Sequence, residues 1–222
     1  MFINIHSHKL NSQSKAVIFM DGREFIGLHP WNIKLDSIEE DWSKVESEIR
    51  SKKSPMIGET GLDRHFVKLD ISIQENLLIK HISLAAELNR PLVIHCVHAH
   101  SDLLKVVKQY KHLNLTWLIH DYSAGITELK QYLKHNIYFS FGKSLFNQNS
   151  KAFRSFMVAP KEKVFFETDD AEISVEEIYD EARKLRNEID WEKQIESNLL
   201  SFFHQANNIG ASDFIKNLGI SI

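Results

Sequence analysis

Short apolar runs that lack alternating polar residues recur along this chain, and such runs are typical of strands in a parallel sheet covered on both faces. Eight of them occur, at Phe2–Ile5, Ala16–Met20, Phe25–Leu28, Pro55–Ile57, Pro91–Ile94, Leu115–Ile119, Ile137–Phe141 and Val164–Phe166. Helical patterns lie between most of these runs, over Ile71–Asn89, Leu103–Tyr110, Ile126–Leu133, Ser150–Val158 and Ser174–Arg186. The alternation of strands and helices predicts an α/β fold.

The segment between the first and third runs breaks this alternation. It is too short for the crossover helix that a parallel neighbour usually requires. Asp21 and Gly22 stand between two apolar runs, and Asp-Gly in that position is a strong signal for a two-residue turn. We therefore expect Ala16–Met20 to pair antiparallel with Arg23–Leu28 in a hairpin, which compresses the first two strand–helix units.

Composition narrows the class of protein. The chain has 222 residues, of which 43% are hydrophobic and 26% charged, so we expect one globular domain over residues 1–222. A net charge of −3 excludes a broad basic surface that coats nucleic acid, but it allows a nuclease with a small phosphate site. Cys96 is the one cysteine, which excludes an internal disulfide framework and a four-thiolate zinc site.

The N-terminus and the longest apolar runs bear on location. No basic region followed by a cleavage site opens the chain, and no apolar run reaches the length of a membrane span, about 18 residues. We therefore expect a cytoplasmic protein with no membrane association. The glycine-rich phosphate motifs of dinucleotide-binding and P-loop folds are missing from the sequence, which disfavours both classes.

Six residues of metal-ligand type stand at or near the ends of five apolar runs. They are His6, His8, Glu59, His95, His120 and Asp169. In a parallel barrel the carboxyl ends of the strands converge on one face, where active sites lie. His6 and His8 are two residues apart, so a strand directs both imidazoles to the same side, where one ion could take both. Such nitrogen and oxygen ligands suit zinc, manganese or similar ions, and a bridging carboxylate can hold two of them.

Other polar residues have simpler interpretations. A single histidine after an apolar run is more often a hydrogen-bonded interior residue than a ligand, and only the repetition at strand ends indicates a site. His98 and His100 follow the fifth run, where a loop or helix-cap role is favoured. Arg64 and Lys143 could contact a phosphate, although single charges are more often solvated.

The same residues resemble the motifs of the TatD family of metal-dependent hydrolases, most of which are DNases. The resemblance runs from His6 to about Phe203. The matching segments are His6-Ser7-His8, Gly27-Leu28-His29-Pro30, Gly58-Glu59-Thr60-Gly61-Leu62-Asp63, Pro91 to His95, His120 to Gly125, Tyr138 to Gly142, and Glu167-Thr168-Asp169. The G-E-[IT]-G-L-D motif at residues 58–63 is the most specific of these matches.

The chain also departs from the family pattern. Asn4 stands in place of the leading aspartate, and Val97 in place of the arginine of an H-x-R motif, which removes one contact to phosphate or substrate. Ala124 is inserted before Gly125, and the proline that follows the last motif is lost. The interval between the first and third motifs is also shorter than in the family.

The resemblance implies a TIM-like (β/α) barrel of the metallo-dependent hydrolase type, shortened and irregular near the N-terminus. It also implies two divalent metal ions (zinc, manganese or magnesium), one on His6, His8, Glu59 and Asp169 and a second on Glu59, His95 and His120. The implied reaction is hydrolysis of phosphodiester bonds, most simply at DNA ends, by a metal-activated water.

The resemblance assigns roles to individual residues as well. Asp169 takes the proton of the attacking water or orients that water, and Glu59 belongs to the catalytic centre. His29 contacts the phosphate or the leaving group, and Arg64 and Lys143 are candidate substrate-binding residues.

Two alternatives remain open at this point. The first is an amidohydrolase-type enzyme acting on a small ester, lactone or amide, which should have a closed apolar pocket. The second is a metal-binding subunit, or a partner-dependent nuclease of a multi-protein system with unidentified protein partners. A nuclease that acts on DNA should instead have an open cleft with cationic walls.

Overall fold

The computed structural model describes residues 1–9, 14–52, 54–65, 69–205 and 216. Its strands are β1 (Ile3–Ser7), β2 (Val17–Met20), β3 (Phe25–Ile26), β4 (Met56–Asp63), β5 (Leu92–Val97), β6 (Trp117–Ile119), β7 (Ile137–Phe141) and β8 (Val164–Phe166). Its helices are α1 (Ile38–Ser51), α2 (Ile71–Leu88), α3 (His100–Gln109), α4 (Ile126–Tyr132), α5 (Lys151–Val158), α6 (Val175–Leu185) and α7 (Trp191–Gln205).

The strands are parallel and follow one another in chain order, as in a TIM barrel. β3 to β8 form a six-stranded sheet, and β1 and β2 form a separate pair. Isolated bridges join the two sheets at both junctions, between Ser7 and Asp169 and between Asp21 and Phe25. The result is a TIM-like α/β barrel, as predicted, whose ladder is interrupted on either side of the β1–β2 pair.

The predicted hairpin over Ala16–Leu28 is wrong. β2 runs parallel to β1, with Ile3 opposite Val17 and Ser7 opposite Met20. β3 also pairs in parallel, with the start of β4. The chain does turn at Asp21 and Gly22, but the turn leads from one parallel strand to the next and does not reverse the chain into a ladder.

Side chains from this turn explain why β2 does not need an antiparallel partner. The Glu24 carboxylate accepts a hydrogen bond from the Met20 amide at 2.9 Å, and the Arg23 guanidinium donates to the Ile18 carbonyl at 3.2 Å. Those backbone groups are the ones that a hairpin partner would have paired, and buried backbone groups must find a partner of some kind.

All five predicted helices are confirmed, with small shifts at their ends. α2 ends at Leu88 and is capped by Asn89 in the left-handed conformation, and α6 begins with the capping box of Ser174 and Glu177. α1 had no counterpart among the predicted helices because its apolar stripe is thin, with Trp42 and Ile49 as its buried residues. Within the ranges that the structure describes, no helix is both long and apolar enough to cross a membrane.

β4 is the strand that places the site. All eight of its residues are buried, and it pairs with β3 and β5. Gly61 lies opposite His95 in this pairing with φ +150°, and a Cβ added there would collide with the His95 carbonyl oxygen. The close approach of the two backbones at this point brings the carboxyl ends of β4 and β5 together.

We predict that Gly61→Ala destabilises the fold by more than about 2 kcal/mol, because the new methyl group meets backbone on an adjacent strand. Gly22→Ala is the matched control. Gly22 has φ +75°, but a Cβ added there would meet open space, so this substitution should cost only about 1 kcal/mol of backbone strain. Urea denaturation of the two variants measures the difference. Equal losses would contradict the close-packing explanation.

Candidate metal centre

The structure brings the six predicted ligand residues together at the carboxyl end of the barrel. Each comes from a strand or from the residues directly after one. Glu59 lies at the middle of the group and is 2% exposed. Its two carboxylate oxygens face different sets of donors, which we describe in turn.

The first set surrounds Glu59 Oε2. The His6 Nε2 and His8 Nε2 atoms each lie 3.4 Å from this oxygen and 3.4 Å from each other. Asp169 Oδ1 is 3.4 Å from His6 Nε2 and 3.3 Å from His8 Nε2. Glu59 Oε2 is buried and has no hydrogen-bond partner among the residues described.

These spacings fit one metal ion. Four donors placed tetrahedrally about 2.0–2.1 Å from a central ion lie about 3.3–3.4 Å from one another. Five of the six donor–donor distances in this set, those joining the two imidazoles to each other and to the two carboxylates, have that length. The set is too widely spaced for a network of good hydrogen bonds, and its nitrogen and oxygen chemistry suits zinc or manganese.

The second set surrounds Glu59 Oε1. His120 Nε2 lies 2.8 Å from this oxygen and His95 Nδ1 lies 2.9 Å from it, and the two nitrogens are 3.4 Å apart. These are hydrogen-bond distances, but the same three atoms could hold a second ion after a small separation. The two oxygens of Glu59 therefore face separate donor sets, and the binding of two ions by these sets stays a prediction.

Two further carboxylates hold the imidazoles of the second set. Asp63 Oδ2 lies 3.1 Å from His95 Nε2, and Glu167 Oε1 lies 3.3 Å from His120 Nδ1. Glu167 also accepts hydrogen bonds from the Ser140 hydroxyl and the Asp121 amide. A carboxylate on the far nitrogen fixes the tautomer in which the near nitrogen offers a lone pair, an arrangement that metal-ligating histidines almost always have.

His29 is oriented as a donor and not as a ligand. Its Nδ1 accepts a hydrogen bond from the Trp31 backbone amide at 3.1 Å, because an amide can only donate. In the neutral imidazole Nε2 then carries the proton, and this atom lies 3.0 Å from Glu59 Oε1. His29 can therefore donate to an oxygen at the centre, and its contact with the phosphate or the leaving group stays a prediction.

The two predicted substrate-binding cations differ in their surroundings. Lys143 is exposed after β7 and lines a cavity of about 390 Å³ together with Asp169. Arg64 follows β4, but its guanidinium Nε donates to Asp102 Oδ2 at 2.7 Å. A second cavity of about 720 Å³ lies on the other side of the centre and also includes Asp169. Both cavities therefore meet at the metal-ligand group, with Asp121 shared between them.

Sequence reasoning missed several residues of the centre. Asp63 and Glu167 stand inside quoted motifs, but no spacing rule indicates which imidazole each one holds. Asp21 was interpreted only as a turn residue, whereas its carboxylate lies 3.7 Å from His8 Nδ1. Asn4, where the family has aspartate, bonds the backbone and hydroxyl of Thr168 and so connects β1 to the segment after β8.

The imidazoles and carboxylates strongly perturb one another. The adjacent carboxylates of Asp169 and Glu59 raise the pKa of His8 to about 10. Burial lowers the pKa of His120, but the charges of Glu59 and Glu167 outweigh it and raise that pKa well above its usual value. For Glu59, burial is likewise outweighed by His120, and its pKa is held well below the usual value. The positive charge of the protonated imidazoles thus balances the negative charge of the carboxylates. A metal cation must displace these protons in order to bind.

The chain matches the sequence pattern of a known family over most of its length. The profile of the family described as TatD related DNase matches residues 6–196. The fold and the motif residues agree with that match, and the chain belongs to this family.

Individual relatives are similar to parts of the chain. The uncharacterized metal-dependent hydrolase YabD of Bacillus subtilis is 30% identical over 145 residues, which cover 65% of this chain and 56% of YabD. The human 3′-5′ RNA nuclease TATDN2 is 26% identical over 147 residues, which cover 64% of this chain and 19% of TATDN2. The chain spans less than two thirds of the length of the first bacterial relatives that it matches.

The fold has a clear counterpart among solved structures. YJJV, a TatD homologue from Escherichia coli, superimposes with a TM-score of 0.69 at 17% identity, over 84% of this chain and 77% of YJJV. At that level of identity the likeness concerns the fold, and it confirms the predicted fold class.

We predict that metal affinity rises with pH. The pKa of His8 is raised to about 10, and those of His6 and His120 are raised as well, so a cation that binds these imidazoles must displace protons that they hold more tightly than a free imidazole does. For each proton that the metal displaces, the metal affinity rises about tenfold per unit of pH, as long as the pH is below the pKa of that imidazole. Calorimetric titration with Mn²⁺ between pH 6 and 8, in buffers of different ionisation enthalpy, measures both affinity and proton release. A flat profile without proton release would contradict this prediction.

We also predict that Glu167→Gln weakens metal binding by about 10- to 100-fold, because the amide no longer holds the His120 ring and the Ser140 hydroxyl together. Asp102→Asn is the matched control, since Asp102 is a buried carboxylate that pairs with Arg64 and not with an imidazole. Mn²⁺ titration of both variants tests this. A loss in the control as large as in Glu167→Gln would indicate a general effect on the fold.

Proposed function

We propose that this protein is a divalent-metal-dependent hydrolase that cleaves phosphodiester bonds, with DNA ends as its substrate. The proposal rests on the Glu59 carboxylate, whose two oxygens face different sets of donor atoms. These two sets would hold divalent cations, which would supply the charge stabilisation that in-line displacement at phosphorus needs. The name of the family and the nuclease TATDN2 support the same chemistry.

In the proposed reaction, Asp169 and His29 have separate roles beside the metal ions. Divalent cations, when bound, supply a water of lowered pKa and positive charge beside the phosphoryl oxygens. Asp169, whose side chain is 30% exposed, faces incoming water and accepts its proton as general base. The His29 Nε2 proton is available for the charge that develops on the leaving oxygen.

The cavities provide room for a chain of nucleotides on both sides of the centre. They share Asp121 and Asp169, so a substrate placed across them passes directly over the metal ligands. Lys143 on one side and Lys151 on the other are exposed cavity-lining cations, and we assign them to the phosphates that flank the scissile one.

One observation favours a second candidate. The same walls carry the acidic residues Asp121, Glu128 and Asp170, which repel a polyanion and would suit a small neutral or cationic substrate. An amidohydrolase-type enzyme acting on a small ester, lactone or amide fits that observation. Against it, the exposed residues in both walls leave the two cavities beside the centre open to solvent, whereas a small-molecule site is normally enclosed.

We predict that Asp169→Asn lowers hydrolysis of labelled DNA ends by at least about two decades, because it removes the general base and weakens the first donor set. The residue has φ +51°, which asparagine adopts readily, so the melting temperature should change little. Asp180→Asn, an exposed change on α6, is the control and should retain full activity. Chelation should abolish wild-type activity, and added metal should restore it.

The assay compares single- and double-stranded DNA with a chromogenic phosphodiester and a panel of small esters, lactones and amides. Cleavage of the small substrates without any phosphodiester cleavage would replace the nuclease proposal with the second candidate. Metal binding without any cleavage, even with candidate partner proteins added, would indicate a metal-binding subunit.

A further inference from the structure

Trp31 is an aromatic residue beside the centre that no role described so far explains. It lies in the short 3-10 turn Pro30–Asn32 directly after His29. It is 55% exposed, whereas the other three tryptophans, Trp42, Trp117 and Trp191, are at most 8% exposed. A large exposed ring at the edge of a candidate active site is a feature that binding sites commonly use.

Contacts with the centre hold this ring in place. Trp31 Nε1 donates to Asp63 Oδ2 at 2.6 Å, and the same oxygen lies 3.1 Å from His95 Nε2. The indole packs edge-to-face against the imidazoles of His29 and His95, with ring centroids 5.3 and 5.8 Å away. The ring is therefore oriented before any ligand arrives, so a ligand that stacks on it pays little ordering entropy.

The ring also forms part of a cavity. Trp31 lines the cavity of about 720 Å³ together with His95, His120 and Asp169. A planar group lying on the indole in this cavity has a candidate metal ligand as its neighbour. A nucleobase has that planar shape, and its sugar connects it to a phosphate within the length of one nucleotide.

We propose that Trp31 is the stacking platform for the base of a nucleotide that adjoins the scissile phosphate. This assignment rests on the proposed phosphodiesterase function and adds a subsite to it. Stacking of a base on an aromatic side chain tolerates all four bases, because each has a π-face. The subsite would thus bind a nucleotide without selecting its sequence.

Binding can be measured without catalysis. Deoxyadenosine 5′-monophosphate should quench the fluorescence of the exposed tryptophan and protect it from acrylamide, while 2-deoxyribose 5-phosphate should do neither. Trp31→Phe should lose the acrylamide-accessible emission, which assigns the signal to Trp31. Unchanged wild-type fluorescence at nucleotide concentrations that calorimetry shows to be saturating would overturn the proposal.

Two substitutions separate stacking from the hydrogen bond to Asp63. Trp31→Phe keeps a ring but removes the indole N–H, and Trp31→Ala removes both. Stacking predicts that Trp31→Ala weakens deoxyadenosine monophosphate binding by roughly 5- to 150-fold and that Trp31→Phe retains most of it. Leu35→Ala is the control, because Leu35 is 57% exposed in the next turn and should have no effect. Equal losses in the two Trp31 variants would mean that the residue only positions Asp63 and His95.

Catalysis supplies the second readout. Dithymidine phosphate is compared with two analogues in which one base or the other is replaced by a tetrahydrofuran abasic residue. Trp31→Ala should raise KM for the intact dinucleotide with little change in kcat. It should have no further effect on the analogue that lacks the stacked base, because the interaction is already lost there. Additive effects on both analogues would overturn the stacking assignment.

The two proposals fail in different ways. If no phosphodiester is cleaved but deoxyadenosine monophosphate still quenches Trp31, the hydrolase assignment is wrong and the base subsite stands. If dinucleotides are cleaved but Trp31→Ala cleaves the intact and abasic substrates with wild-type kinetics, the hydrolase assignment stands and the subsite is wrong.

Discussion

The burial of one carboxylate, that of Glu59, determines the organisation of this end of the barrel. An unpaired carboxylate at 2% exposure would be very costly, because burial removes the water that stabilises its charge. Imidazoles from five positions surround it instead, namely His6, His8, His29, His95 and His120. These imidazoles come from four separate segments of the chain, so the charge of Glu59 is satisfied only when the strand ends meet. Folding of the barrel and assembly of the centre are in this sense one event.

Much of this arrangement could be predicted from local rules. Parallel strands place their carboxyl ends on one face, so ligand-type residues after successive apolar runs had to come close to each other. The i, i+2 spacing of His6 and His8 placed both rings on one side of β1, and their Nε2 atoms are 3.4 Å apart. The convergence of the six residues therefore follows from strand direction and periodicity, whereas their role as metal ligands stays a prediction.

Features that depend on tertiary contacts could not be predicted in this way. The direction of β2 was predicted incorrectly, because Glu24 and Arg23 satisfy backbone groups of β2 from within a turn, and no sequence rule anticipates such substitutes. The pairing of Asp63 with His95 joins β4 to β5 at a register with a bulge. Periodicity identifies the face of a strand, but it does not identify which carboxylate reaches which ring.

Under the proposed function, recognition of the substrate on the β5 side of the centre would rest on different chemistry from the arginine contact of the family pattern. Val97 replaces an arginine there. Arg64, whose backbone amide donates to the Val97 carbonyl directly after β4, directs its guanidinium to Asp102. An arginine contact would make binding depend on phosphate charge and weaken with salt. A stacked indole binds through the apolar face of a base, which salt screens far less. In the proposed site the exposed ring of Trp31 would therefore take over part of the affinity that the arginine would have supplied, while Lys143 and Lys151 would keep the contact with the phosphates.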